Sequence, residues 1–240
     1  GPAERRHFLD SELCQLDKVY LYQLSNYNKV VLQRNKLLKE LYLHPDYREV
    51  LDVLDMQLVQ YGSALIQRRQ TFAEELGEIV HRIHSQLSGG QEEMELKYEP
   101  NVTVDAFAQM LFANRERDMR LKTTATGPHR DDISFVVNGV DIRKFGSQGQ
   151  QRTAALSLKL SEIELVKRLI GDTPVLLLDD VLSELDSGRQ NYLLNSIENI
   201  QTLITCTGLD EFVNHRFSIN RIYKVTDGSV TVENKQEADR

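Results

Sequence analysis

Ser147-Gln148-Gly149-Gln150 and Asp179-Asp180 are the residues of this 240-residue chain whose types and spacing suit chemistry on a phosphate. Ser147 offers a hydroxyl, and Gly149, lacking a Cβ, lets a ligand approach the backbone closely. The free amides of Gly149 and Gln150 open a helix, and helix N-termini attract anions. Farther on, Val175-Leu176-Leu177-Leu178 reads as a buried strand that ends in Asp179 and Asp180. Carboxylates at the carboxyl end of a strand face the ligand edge of an α/β sheet. There Asp179 would hold Mg²⁺, mostly through water, and Asp180 would orient or deprotonate an attacking water. Strand-end acids alone are common, so the flanking residues decide how specific the pair is.

In chain order, Ser147 to Gln150, the acid-tipped strand and Ser183-Glu184-Leu185-Asp186 match the signature, Walker B and D-loop of an ABC-type ATP site. Many proteins of that type carry Glu where Asp180 stands. Thr207, just past a second apolar strand over Thr202 to Cys206, occupies the place of a switch histidine. A threonine can hold a phosphate or a water by hydrogen bond but cannot shuttle charge, so slow hydrolysis is expected. No G-x-x-x-x-G-K-[S/T] loop occurs in the chain. Without that loop's lysine and amides, Asp179 has no nucleotide to act on. Leu87-Ser88-Gly89-Gly90-Gln91 spells the ABC signature letter for letter. Glu92, Glu93 and Glu95 follow it with a strand pattern rather than a helix, so it is read as a glycine cap ending a helix.

The elements that must position these groups follow from periodicity. Leu13, Leu16, Tyr20, Leu24, Tyr27 and Val31 recur at helical steps over about 11–43. His44-Pro45-Asp46 breaks the pattern, with Pro45 suited to a first helical turn. A second helix over about 46–87 carries a heptad-like seam from Leu51 to Ile83, interrupted at Arg68 and Arg69. Two long helices joined by a tight turn lie antiparallel, either as an arm reaching roughly 60 Å or as part of a bundle. Thr103 to Lys122 is helical, capped by Thr103 or Asn101. After Thr126 short strands and turns take over: Ile133 to Val137, the Asn138-Gly139 hairpin turn, a helix over 150–170, then Ser187 to Ile200 as a helix and a hairpin turning at Asp227-Gly228. Strands alternating with helices predict an α/β lobe with a parallel sheet. The expected division is a helical arm domain over 1–124 and the C-terminal lobe of an ABC-type head over 125–240.

The net charge of −7 argues against a protein coated with positive charge for nucleic acid, but not against a local basic patch. Arg115, Arg117, Arg120, Lys122 and Arg130 form the densest such cluster, open to two readings: phosphate contacts on DNA or a solvated helix face. Arg68 and Arg69 are open to two readings as well: a DNA or partner contact on the arm, or a solvated face. His129-Arg130-Asp131-Asp132 has the residue types of a metal or acid/base site but is read as an internal salt-bridged turn. Two distant cysteines, Cys14 and Cys206, fit a reducing cytosol and are expected to be small buried apolar residues.

Gly1 to Asp10, Thr126-Gly127-Pro128-His129-Arg130-Asp131-Asp132, Phe145 to Arg152 and Leu176 to Asp186 together resemble the RecF family, bacterial recombination mediators related to SMC-type ATPases. The resemblance covers most of the chain, though the family's Walker A segment has no counterpart, so the chain resembles a C-terminal fragment. It implies an ABC-type head with a helical second domain, ATP and Mg²⁺ as cofactors of the intact protein, and ATP-dependent homodimerisation on DNA. It also implies recombinase loading at gaps through the partner RecR, in the bacterial cytoplasm near the nucleoid. In such heads Ser147, Gln148, Gly149 and Gln150 would reach the γ-phosphate of the opposite protomer, and Ser183 and Asp186 would couple two sites. This chain alone is expected to hold no nucleotide and to show no ATPase. The alternative reading is a non-catalytic module that binds RecR or DNA.

Overall fold

The structure, a computed structural model, describes residues 1–40, 48–182, 185–207 and 221–233. The expected break at His44-Pro45-Asp46 and the D-loop residues Ser183 and Glu184 lie outside them. Packing divides the chain into two compact units, Gly1–Thr173 and Pro174–Arg240. That division falls later than the change of character at 124–125. Strand pairing and helix packing tie residues 132–170 to the helices before them.

In the first unit, α1 (Pro2–Leu16) and α2 (Lys18–Glu40) replace the single helix expected over 11–43. The break is Asp17, which is extended, with φ −141°. Its carboxylate accepts from the N–H groups of Val19 (2.8 Å) and Tyr20 (3.0 Å), starting α2 as a side-chain cap does. The next helix, α3 (Arg48–Leu87), is 40 residues long, about 60 Å. It runs antiparallel to α2, because Arg68 meets Asp17, Arg69 meets Tyr20 and Arg34 meets Asp55. Leu51, Leu54, Leu58, Leu65, Phe72, Leu76, Ile79 and Ile83 are all buried, as the seam requires. Gly62 lies where α3 is approached most closely: a Cβ there would stand 2.5 Å from the Phe107 ring and 2.9 Å from Tyr27.

The seam is interrupted at Arg69 for a physical reason. Arg69 is 2% exposed and donates to Tyr20 Oη (2.9 Å), Pro128 O (2.7 Å), Asp131 Oδ2 (2.9 Å) and Asp10 Oδ1 (2.7 Å). It is a buried hub, neither a solvated residue nor a surface contact. A second hub is Arg34, fully buried against Asp55, Asp118 and Thr124. Such charges persist inside a protein only when paired and hydrogen-bonded.

Strand β1 (Met94–Glu99) packs on α3 and pairs antiparallel with β2 (Asp132–Val137). Helices α4 (Val104–Ala113) and α5 (Arg115–Leu121) lie between the two strands in sequence. β2 turns at Asn138-Gly139, both at positive φ, into the short β3 (Val140–Asp141). A one-turn helix, α6 (Ile142–Phe145), then leads to α7 (Gln148–Ile170), which packs along α3. The expected salt-bridged turn is present. Asp131 meets Arg69, and Asp132 is held below the usual carboxylate range by the two hydrogen bonds that Arg5 donates. His129 donates from Nε2 to Thr124 O and accepts at Nδ1 from Tyr27 Oη. Burial pushes its pKa down to about 4, which fits that neutral tautomer.

In the second unit, β4 (Leu176–Asp179) and β5 (Thr202–Thr205) form a parallel pair, with α8 (Ser187–Ser196) between them in sequence. β6 (Ile222–Thr226) and β7 (Ser229–Glu233) form the expected hairpin, turning at Asp227 and Gly228 with positive φ. Leu178, Leu182, Leu193, Leu194, Ile197 and Ile200 are buried together. The apolar strand is not buried on both faces, as the run of leucines suggested. Leu177 is 72% exposed and its register partner Leu203 54% exposed, because one face of this pair carries no covering element among the described residues. Cys206 is exposed and Cys14 partly so, and neither is fully buried as expected. The first unit is thus mainly helical with a three-stranded antiparallel sheet, and the second is an α/β lobe with parallel strands.

Candidate nucleotide site

The candidate residues fall into both units. In the first, the turn before α7 is built by a capping box. Ser147 Oγ accepts from Gln150 N–H at 3.2 Å, and Ser147 N–H donates to Gln150 Oε1 at 3.0 Å. The Gln150 N–H, expected to be free, is therefore taken by Ser147, and the turn is solvent-facing at Gln148 and Gly149. Thr153 Oγ1 donates to Gly149 O at 2.8 Å and tightens the first turn. The geometry suits an anion at the N-terminus of a 23-residue helix.

The second unit carries the carboxylates. Asp179 ends β4 beside Thr205, its register partner at the end of β5. Thr205 Oγ1 donates to Asp179 Oδ1 and accepts from Asp180 N–H at 3.2 Å, while Thr205 O accepts from the same N–H at 3.1 Å. Asp180 has φ 52°, the left-handed conformation that few residues other than glycine adopt. It turns the chain sharply off the strand, and both carboxylates are exposed. Mg²⁺ takes one or two carboxylates with waters and phosphate oxygens, so this hard-oxygen pair fits it. Asp186 caps α8: its carboxylate accepts from Arg189 N–H at 3.0 Å and from the Arg189 guanidinium at 2.7 Å. That backbone hydrogen bond, then the guanidinium, holds it below the ordinary carboxylate range.

Two comparisons bear on what this arrangement belongs to. No protein-family model matches the chain. The protein named DNA replication and repair protein RecF from Agathobacter rectalis is 60% identical over 232 residues, 97% of this chain and 64% of its own length. That from Lachnospira eligens is 59% identical over 236 residues, 98% of this chain and 65% of its own length. The chain is a RecF-like segment, matched over nearly its whole length. A solved structure described as the recombination mediator protein RecF-ATP in the RecFOR pathway superposes with a TM-score of 0.87. It is 34% identical and covers 98% of this chain and 64% of that one. The chain thus spans somewhat under two thirds of the RecF proteins it matches.

Within this RecF-like segment, the other predicted residues separate. Thr207 is exposed, and the hydroxyl that touches Asp179 belongs to Thr205, which the sequence reading missed. Counting strand-end residues of two neighbouring parallel strands is the signal that finds it. The basic cluster is not one set of free cations. Arg115 pairs with Asp55 (2.7 Å) and Asp52 (2.6 Å) and lies 4.8 Å over the Phe112 ring. Arg130 donates to Thr124 O at 3.3 Å, while Arg117, Arg120 and Lys122 are exposed.

Proposed function

We propose that this chain supplies the signature turn and the Walker B carboxylates of a RecF-type ATP-dependent clamp that acts on DNA in recombinational repair. The observation that carries the reading is the end of β4. There Thr205 orients Asp179, and a left-handed Asp180 presents a second carboxylate. Asp179 is suited to hold Mg²⁺, which when bound screens phosphate charge and fixes the leaving oxygens. Asp180 is placed to orient or deprotonate the attacking water. Ser147 and the amides at the start of α7 are suited to receive the γ-phosphate of a nucleotide held by a second protomer, so each composite site needs two chains. The likeness to RecF proteins supports, as part of this proposal, homodimerisation with ATP, engagement of gapped DNA, recombinase loading through RecR and a role in the cytoplasm. The exposed Arg117, Arg120 and Lys122 are candidates for phosphate contact.

The chain alone is expected to be inactive, because it contains no phosphate-cradling G-x-x-x-x-G-K-[S/T] loop. The test mixes it with labelled ATP and Mg²⁺, with and without the remaining N-terminal portion of a RecF protein. Nucleotide retained only in the mixture, and lost with Asp179→Asn, supports the reading. Retention by the chain alone, indifferent to Asp179, contradicts it.

A further inference from the structure

The Ser-Gly-Gly turn that ends α3 takes no part in the proposed chemistry, but the residue it delivers reaches the signature turn. Gly90 N–H closes on Ser85 O at 2.7 Å, and Ser88 Oγ accepts from Glu92 N–H at 3.2 Å, so the loop is fixed. Glu92 Oε1 then accepts from Gln150 Nε2 at 2.9 Å, and its other oxygen lies 3.1 Å from His84 Nε2. His84 is fully buried, with Nδ1 2.9 Å from Ser157 Oγ. A carboxylate can only accept, so His84 donates from Nε2 to Glu92, and Ser157 Oγ, which also lies 2.7 Å from Thr153 O, faces the unprotonated Nδ1.

This chain of contacts decides which way the Gln150 amide points. A carboxylate can only accept, so Gln150 must turn its NH₂ to Glu92. Its carbonyl oxygen is thereby aimed at Ser147 N–H, at 3.0 Å, and the capping box closes. Without Glu92 the amide of this otherwise solvent-facing turn could flip or swing away. The turn would then have to be ordered at the moment a phosphate arrives, which weakens binding.

We propose that Glu92, held in place by His84, is a positioning residue that sets the Gln150 amide and so pre-forms the Ser147–Gln150 turn for a phosphate. The inference rests on the reading of that turn as the phosphate-facing signature. It ties the root of the long helix α3 to the start of α7 through side chains, besides their packing.

The test has two arms. In this chain, amide hydrogen exchange is read at Ser147. Glu92→Ala is expected to speed it about tenfold or more, since the N–H loses its oriented acceptor. Glu92→Gln is expected to leave it near the wild-type rate: its amide oxygen can accept from Gln150, and its NH₂ can donate to His84 Nε2 once the ring proton moves to Nδ1, where Ser157 Oγ can accept it. In a full-length RecF protein carrying the same residues, ATP-dependent self-association and binding of a fluorescent ATP analogue by the isolated protomer are measured for Glu92→Ala, Glu92→Gln and Ser147→Ala. The expectation is a roughly tenfold loss of self-association for Glu92→Ala and Ser147→Ala, with protomer binding unchanged for Glu92→Ala and Glu92→Gln near wild type. If Ser147→Ala weakens association and Glu92→Ala does not, the positioning role is overturned while the signature reading stands. If neither weakens it, the signature reading falls and the inference with it. Equal loss for Glu92→Gln and Glu92→Ala, with equal acceleration of Ser147 exchange, overturns the hydrogen-bond account.

Discussion

Replacing Glu162 with glutamine changes how the stability of the fold depends on pH. Glu162 sits on α7 and is 8% exposed. One carboxylate oxygen accepts from Lys159 at 2.7 Å, and the other has no hydrogen-bond partner among the described residues. Burial is the main cause that pushes its pKa up to about 7, and Glu12 adds repulsion. Lys159 opposes both only weakly, its side chain being 62% exposed. The unfolded chain keeps the ordinary value of 4.5. Between those two values the native state binds the extra proton, so its stability falls as pH rises from about 4.5 to about 7 and is level above. At about 1.4 kcal/mol per pKa unit, the penalty at pH 8 is on the order of 3 kcal/mol. Glutamine has no charge to bury. The stability of Glu162→Gln minus that of wild type should therefore rise by on the order of 3 kcal/mol between pH 4.5 and pH 8. Titrations of groups distant from Glu162 are common to both proteins and cancel in the difference, leaving only those of Glu12 and Lys159, which couple to it. Urea unfolding of both proteins at several pH values measures it. A difference that stays flat across that range would refute the assignment of a buried, proton-hungry carboxyl.

Three further outcomes follow from the packing and the strand end. Gly62→Ala drives a methyl into Phe107 and Tyr27 and should cost about 1–3 kcal/mol, seen as a lowered thermal midpoint. Asp118→Ala leaves Arg34 buried without its 2.7 Å partner and should cost about 3–5 kcal/mol by denaturant unfolding. In a full-length RecF protein, Thr205→Val should raise severalfold the Mg²⁺ concentration needed for half-maximal ATP binding, by loosening Asp179, whereas Thr205→Ser should not.

What could be read from the residues was local. The S-x-x-Q pattern at Ser147 announces its own capping box, and Asn138-Gly139 and Asp227-Gly228 announce their turns by the positive φ they tolerate. The leucines of α3 predict their own burial because helical period and heptad spacing coincide. What could not be read depends on partners distant in sequence. Arg69 interrupts an apolar seam, and only Asp10 and Asp131, brought in by α1 and the turn before β2, show why it is buried. The contact of Thr205 with Asp179 needs the register of a parallel pair joined through α8. Leu177 and Leu203 read as buried because apolar runs do not say how many faces of a strand are covered. Glu92 counted only as an argument against a false signature, since its hydrogen bond to Gln150 spans 58 positions.

The composite site has one most direct test. In a full-length RecF protein, Asp179→Asn and Ser147→Arg protomers are each inactive, and they are mixed in equal amounts. If Asp179 of one protomer and Ser147 of the other share a nucleotide, each mixed dimer contains one intact site. With random pairing about a quarter of wild-type ATP turnover should return. No recovery on mixing, with both variants folded and dimerising, would contradict a site shared between two chains.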